Sequence, residues 1–376
     1  MTDRIREFLD TVRPDGPCLV VDLDVVRANY RAFARSLPDT RVYYAVKANP
    51  SPEILETLVE LGSSFDCASP TEIKAALAAG AGPDRISYGN TIKKERDVAR
   101  AYALGVRLFA VDCEEEVDKI ARSAPGSKVF CRILYDSGTA EWPLSRKFGC
   151  APEMAVEVVD YAHRNGLVAH GVSFHVGSQQ PDTESWDGAL ATSAWVFREL
   201  AERGIHLKMV NLGGGFPTRY LKDIPSVSNY AMAIGGALRR HFGNRLPETI
   251  IEPGRGMVGD AGIIKTEVVL ISRKEKNDPL RWVYLDIGKF HGLAETMDES
   301  IRYPIKTPHE GAPSSPCVLA GPTCDSADVL YEKTPYELPV SLSIGDELLI
   351  EGTGAYTSMY SSVGFNGFAP LRSYVI

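Results

Sequence analysis

Cysteine is scarce in this sequence and does not come in pairs. The 376 residues contain seven, an odd number with no Cys-x-x-Cys among them, which argues against a disulfide framework and against a structural zinc site. Long apolar runs are also missing: no window approaches the roughly 18 apolar residues of a membrane span, and the charged opening MTDRIREFLD is not followed by a hydrophobic stretch. No membrane is therefore expected, and a cytoplasmic protein is. Positive charge is in deficit, 41 Lys and Arg against 49 Asp and Glu, for a net charge of −8 and a pI near 5.5. That balance disfavours nucleic acid, whose binding relies on clustered cations. Internal repeats, low-complexity tracts and Walker or Rossmann fingerprints are absent as well. What remains is an ordinary globular composition, 44% hydrophobic and 24% charged, in a chain long enough for one large α/β domain and a smaller companion. A small molecule is the default partner.

Short apolar runs alternate with longer amphipathic ones over the first part of the chain. The expected strands are RVYYAV (41–46), SSFDCA (63–68), RISYG (85–89), VRLFAV (106–111), KVFCRI (128–133), VAHGVSFHV (168–176), LKMVNLG (207–213) and TIIE (249–252). Between them lie helical patterns such as SPEILETLVELG, SPTEIKAALAAG and APEMAVEVVDYAHRNG, several opening on Ser, Pro or an acid and closing on Gly. Eight strands separated by helices are the count of a (β/α)8 barrel, with a doubly wound open sheet as the alternative. Beyond about residue 262 the long helices stop. GIIKTEVVLISRK, RWVYLDIG, PCVLAGPTC, DELLIEGTGAY and YSSVGFNGF read as an antiparallel β domain, to which the strand-like RPDGPCLVVDL near the N-terminus is also assigned. The expected boundaries are 23–261 for the barrel, and 1–22 with 262–376 for the β domain.

In a barrel the C-terminal strand ends converge on one mouth, where barrel active sites lie. Here those ends carry Lys47, Asp66, Asn90, Asp112, Arg132, His175, the run GGGF and Glu252. A lysine ending a strand is ordinarily a solvated residue, but so varied a set of ionisable groups makes Lys47 look placed. NLGGGFP (211–217) puts Gly213, Gly214 and Gly215 directly after a strand, where backbone N–H groups can approach an anion without Cβ obstruction. EPGRG (252–256) adds Gly254 and Arg255 after the eighth strand, and loops following strands seven and eight of a barrel often hold phosphate. A lysine amine, a phosphate cradle and a carboxylate in one mouth suggest pyridoxal 5'-phosphate, with Lys47 forming the Schiff base and Glu252 keeping the pyridine nitrogen protonated. A carboxylate at that nitrogen suits chemistry that makes a Cα carbanion, such as decarboxylation.

The motifs YYAVKANP, FDCAS, SFHVGSQ, GGGF, EPGR, GPTCDSAD, GTGAYT and FNGF, in this order over nearly the whole chain, resemble the fold-type III pyridoxal-phosphate decarboxylases of the ornithine decarboxylase type, most closely the bacterial lysine/ornithine decarboxylases. The resemblance implies an alanine racemase-like barrel with a C-terminal β domain. It implies that Lys47 is the Schiff-base lysine with Asp66 near it, that His175 stacks on the cofactor ring, and that Glu252 holds the pyridine nitrogen. Ser178, Gly213, Gly214, Gly215, Gly254, Arg255 and Tyr356 would bind the phosphate, and Arg132 would join the cofactor site. It further implies a homodimer whose active sites are shared across the interface. Cys324 would come from the neighbouring subunit to reprotonate the substrate carbon, and Asp325 to bind the distal amine. Lys147 and Asp328 resemble a cross-subunit ion pair, and Phe365 an aromatic beside the substrate.

Substrate choice is less fixed. ETMDESIRYP places Asp298 at a second amine-binding position, with Glu295 or Glu299 as substitutes, and those acids could equally form a solvated turn. The implied reaction is decarboxylation of L-ornithine to putrescine, and of L-lysine to cadaverine. Diaminopimelate decarboxylase shares EPGR, but that branch carries Glu where this chain has Asp325, and alanine racemase would set a cation, not Glu252, at the ring nitrogen. A non-catalytic relative of the antizyme-inhibitor type would lose cofactor contacts, whereas Lys47, His175, Glu252 and Cys324 are all present. The insert YDSGTAEWPLSRK (135–147) is either a lid over the occupied site or a surface loop.

Overall fold

The computed structural model describes residues 1–135, 138, 140 and 147–376. Of the insert 135–147, expected as a lid or a surface loop, only residues 135, 138, 140 and 147 are among the described ones. The chain divides into two compact units: Arg27–Pro217 with Ile224–Met257, and Met1–Val26 with Thr218–Asp223 and Val258–Ile376.

With strands numbered along the chain, β1 (Cys18–Val21) belongs to the second of these units, and the next eight build the first. β2 (Thr40–Ala45), β3 (Ser64–Cys67), β4 (Ile86–Tyr88), β5 (Leu108–Val111), β6 (Lys128–Arg132), β7 (Val168–Ser173), β8 (Met209–Asn211) and β9 (Glu248–Ile251) form a closed, all-parallel barrel. Closure is made by β2 against β9, with Thr40 paired to Thr249 and Val42 to Ile251. Parallel strands with helices outside and side chains inside are buried on both faces, which is why these segments read as near-continuous apolar runs. Tyr43, Ala110, Phe130, Met209 and Ile250 pack together as one cluster of the core. The helices begin as their sequences suggest: Pro stands in the first turn of Pro52–Glu60, Pro70–Ala78 and Pro152–Arg164, where its missing N–H costs nothing. Ser226 and Asn229 form a reciprocal capping box at Val227–Phe242. One feature of this unit has no counterpart in the sequence reading. Lys93 is buried, with Nζ donating to the carbonyls of Asn90 (2.8 Å) and Ala110 (2.6 Å) and paired with Glu116 at 2.9 Å. Burial lowers its pKa to about 8.

The other unit is one eight-stranded sheet. Its main path runs β12 (Ile305–Lys306), β15 (Glu347–Glu351), β10 (Gly262–Ser272), β11 (Arg281–Leu285), β13 (Ser314–Ala320), β14 (Val329–Pro339), and β1 joins β10 to β16 (Arg372–Val375). The N-terminal strand therefore lies in this sheet. Most pairings are antiparallel, but β11 with β13 and β1 with β16 are parallel, so the sheet is antiparallel-rich and not uniformly antiparallel. The N-terminal residues, read only as charged, form the amphipathic helix Asp3–Val12, capped by the Thr2 hydroxyl. Its Ile5, Phe8 and Leu9 meet Cys18, Val20 and Ile263 of the sheet. YSSVGFNGF (360–368), expected in the β domain, holds one isolated bridge, Ser361 to His291, and otherwise the end of the 3-10 segment Ser358–Tyr360, bends and the short 3-10 segment Phe365–Gly367. Gly364 at φ +80° and Asn366 at φ +52° turn the chain out of the extended region.

Candidate functional site

Lys47 sits in a single 3-10 turn, Val46–Ala48, directly after β2; Val46 and Ala48 are buried and the lysine side chain is exposed. Its positive charge acts on Asp66, His175 and Glu252, so the strand ends bring these four residues into one neighbourhood. Asp66, on β3, is buried and accepts the Ser87 hydroxyl at 2.9 Å. Burial pushes its carboxyl above the usual range, while Lys47, Ser87 and Arg132 pull it back. Arg132 ends β6 over the Phe148 ring, 5.2 Å from its centroid. Burial lowers its pKa, opposed by the charges of Glu252, Asp66 and Asp112.

His175 follows β7. Its Nδ1 accepts the Gly177 N–H at 2.9 Å, so the ring proton of the neutral imidazole is on Nε2. Burial first, then the charges of Arg132 and Lys47, hold it well below the usual histidine range and keep it neutral. Glu252, just past β9, is raised to about 7: burial contributes most and repulsion from Asp66 adds to it, against the Asn211 hydrogen bond and the charges of Lys47 and Arg132.

The glycine run after β8 is shaped by close approach. At φ +66°, a Cβ on Gly213 would lie 2.2 Å from the Phe174 carbonyl oxygen. A Cβ on Gly214 would stand 2.7 Å from the Glu252 carbonyl oxygen and 3.4 Å from His175 Nε2; glycine keeps the space between those two residues clear. The loop is tied down by Gly215 O accepting the Gln180 N–H at 2.9 Å and by Trp186, whose Nε1–H donates to Leu212 O at 3.1 Å. Arg255 is buried and donates to the Ser178 hydroxyl at 3.3 Å, with Gly254 immediately before it.

Two residues here were not anticipated. Asn211, the last residue of β8, donates through Nδ2 to Glu252 Oε1 and accepts the Gly213 N–H at 2.9 Å. Ser87, on β4, holds Asp66. The sequence signal for Asn211 is a polar residue at a strand end, and for Ser87 a polar residue in the middle of the short strand β4.

The remaining expected site residues, Lys147 apart, belong to the sheet unit. Cys324 is exposed, and its N–H donates to Asn366 Oδ1 at 2.8 Å, which ties GPTCDS to FNGF. Phe365, in the same turn, lies 5.2 Å from Phe290 between ring centroids. Asp325 is exposed and accepts the Ala327 N–H at 2.8 Å. Asp328 is buried, accepting the N–H of Lys289 at 2.8 Å and the Thr323 hydroxyl at 2.7 Å. Tyr356 stacks on Tyr360 at 6.3 Å. Lys147, in the barrel unit, is exposed, 5.0 Å from the Phe148 ring. In the acidic segment, Glu295 is buried, and Glu299 pairs with Arg302 at 3.1 Å while accepting the N–H groups of Glu332 and Lys333 at 2.8 and 2.6 Å. Asp298 is the open one: its side chain is 81% exposed, with Lys333 Nζ at 3.5 Å.

The donor set of the barrel mouth fits pyridoxal phosphate. The charge of an exposed amine acts on Glu252, whose carboxyl burial and a second carboxyl raise to about 7, and a cation placed on Glu252 would offset that rise. Gly214 keeps the approach open, and Arg255 with the glycine turn offers donors to a phosphate.

Residues 23–259 match the family described as pyridoxal-dependent decarboxylase, pyridoxal binding domain. The chain is 36% identical to a lysine/ornithine decarboxylase of Selenomonas ruminantium over 354 residues, 94% of this chain and 87% of that protein. It is 35% identical to antizyme inhibitor 2 of Xenopus laevis over 98% of this chain and 82% of that protein. Among solved structures, the lysine/ornithine decarboxylase of Vibrio vulnificus complexed with cadaverine superposes with a TM-score of 0.89 at 30% identity, covering 100% of this chain and 99% of that one.

Proposed function

The chain belongs to the pyridoxal-dependent decarboxylases, and on that premise we propose that it decarboxylates L-ornithine to putrescine and L-lysine to cadaverine. It is a carboxy-lyase acting on basic amino acids, and its cofactor is pyridoxal 5'-phosphate. The observation that carries the assignment is the barrel mouth itself, where the charge of Lys47 acts on Asp66, His175 and Glu252 together.

In this reading Lys47 Nζ is the attachment point for the cofactor aldehyde. Glu252 holds a proton at the pyridine nitrogen, and Asn211 fixes the carboxylate in place. His175, held neutral, would stack on the ring without adding charge to it. Ser178, Gly213, Gly214, Gly215, Gly254, Arg255 and Tyr356 hold the phosphate, and Asp66 and Arg132 balance the charge around Lys47. When bound, the cofactor supplies an electron sink for the pair left on Cα as CO2 departs. Cys324 Sγ–H delivers the proton that completes the Cα–H bond, and Phe365 borders the substrate.

A distal ammonium needs an anionic partner, and Asp325 and Asp298 serve here. Glu299 is excluded from that role because Arg302 and the backbone of β14 already use its carboxylate, and Glu295 because it is buried. The working unit is a homodimer in which a second copy of the chain supplies Cys324 and Asp325. Substrates with one methylene between them differ by only about 1–3 kcal/mol in a pocket of this kind, which supports activity on both.

The test is CO2 release and amine product from cofactor-loaded protein with L-ornithine, L-lysine, L-arginine and meso-diaminopimelate side by side. Turnover of ornithine and lysine is the expected result. Turnover of meso-diaminopimelate alone, or of none of the four by fully loaded protein, would overturn the substrate assignment.

A further inference from the structure

Four cations gather on the sheet unit with almost no acid to answer them. Arg273, Lys274 and Lys276, on the connection from β10 to β11, line a groove of about 620 Å³ together with Arg281, the first residue of β11. Glu275 is its one acid, and Val340 contributes to its apolar wall. Among the described residues none of the four cations forms a salt bridge. The whole chain carries −8, so this local excess does not reflect its average charge.

The cations are held by groups that position charge without cancelling it. Lys274 Nζ donates to the Tyr284 hydroxyl at 2.7 Å and stands 4.3 Å from the Trp282 ring centroid. Arg273 donates to the Asp278 carbonyl. Arg281 is the most telling. On β11, residues 281, 283 and 285 alternate as the buried face, so a guanidinium occupies a position where the pleat calls for an apolar side chain. It is only 6% exposed. Its terminal nitrogen donates to the carbonyls of Leu338 and Pro339 at 2.6 and 2.7 Å, and its Nε–H has no hydrogen-bond partner. A buried charged donor left unpaired is costly, and an anion in the groove would satisfy it.

We infer that this groove binds a small phosphate-bearing anion, with Arg281 as its buried donor and Arg273, Lys274 and Lys276 around the phosphate oxygens. Arginine's planar fork suits phosphate oxygens, and the volume falls within the range of small-molecule sites.

The experiment is calorimetric titration of the cofactor-loaded enzyme, whose barrel phosphate site is then filled, with inorganic pyrophosphate and separately with ATP, at low salt and at 0.3 M KCl. Saturable binding that weakens with salt, and at least tenfold in the double variant R273E/K276E, is the expected result. Both substituted positions lie on the β10–β11 connection, so cofactor content and decarboxylase rate should stay at wild-type level. Equal affinity for the two probes would assign the site to phosphate groups alone, and tighter ATP binding to a nucleotide. No saturable heat from either probe, or unchanged affinity in the double variant, would overturn the inference.

Discussion

Asn211→Ala should shift the pH at which the apoprotein takes up its cofactor. Glu252 stands at about 7 with the Asn211 donor in place, so it gains and loses its charge around neutrality. A hydrogen bond to a charged group contributes about 1.5–3 kcal/mol, and 1.36 kcal/mol corresponds to one pH unit. Losing the bond therefore moves the Glu252 midpoint up by about 1–2 units, leaving roughly a tenth or less ionised at pH 7. The folded-state value already lies above the ordinary 4.5, and the variant moves further in the same direction. Affinity for a cationic ring nitrogen is therefore gained as pH rises through the midpoint. Cofactor binding followed by fluorescence between pH 5.5 and 9 should show the variant's curve displaced to higher pH and converging with wild type at the alkaline end. Titration of the cofactor phosphate and of Lys47 is common to both proteins and drops out of the difference. Asn211→Asp, which keeps an acceptor for the Gly213 N–H but adds a negative charge, should shift the curve at least as far. A pH-independent loss of affinity in Asn211→Ala would refute the reasoning and reduce Asn211 to a brace for the glycine turn.

Lys47→Arg preserves a cation acting on Asp66 but removes the attachment amine; decarboxylation should be abolished, and borohydride reduction should no longer add cofactor mass to the chain. Cys324→Ala, at an exposed position, should lower kcat by about a hundredfold with unchanged cofactor absorbance. Glu299→Ala should destabilise the protein by about 2–3 kcal/mol, read by thermal denaturation, whereas Asp298→Asn should leave the melting temperature alone and raise KM for lysine and ornithine. Lys93→Met takes one of two cations from buried Glu116, Lys119 remaining as the other, and leaves the carbonyls of Asn90 and Ala110 without their donor; it should destabilise the protein by about 1–3 kcal/mol, read by thermal denaturation, and an unchanged melting temperature would show that Lys119 alone suffices.

The barrel was legible because strands buried on both faces read as unbroken apolar runs, and all eight fall where those runs do. Their ends were less so. Val46 reads as strand but enters the turn that carries Lys47, and β7 stops at Ser173 because the Gly177 N–H folds SFHVG back onto His175. β14 escaped notice since VLYEKTPYELP contains two prolines and four charged or polar positions; it ends the sheet's path, where proline does not break a ladder on both sides. The motif residues were legible as a set, but not their supports: nothing in a strand-end Asn says that it will bond Glu252 rather than Asp66. Arg281 was illegible for the opposite reason, because the pattern of RWVYL gives no sign that the cation faces inward.

The interleaving of the two units has a consequence for synthesis. The barrel is drawn from Arg27–Met257 apart from a short excursion, whereas β1 pairs with strands at the far end of the chain, Val21 opposite both Gly262 and Val375. At about 5–20 residues per second, β1 leaves the ribosome roughly 12–50 s before its first partner exists. During that interval Cys18, Leu19, Val20 and Val21, all fully buried in the finished sheet, are an unpaired apolar edge. The nascent chain should recruit a holdase over this window, and a circular permutant that moves β1 to follow β16 should shed that dependence while keeping the same barrel.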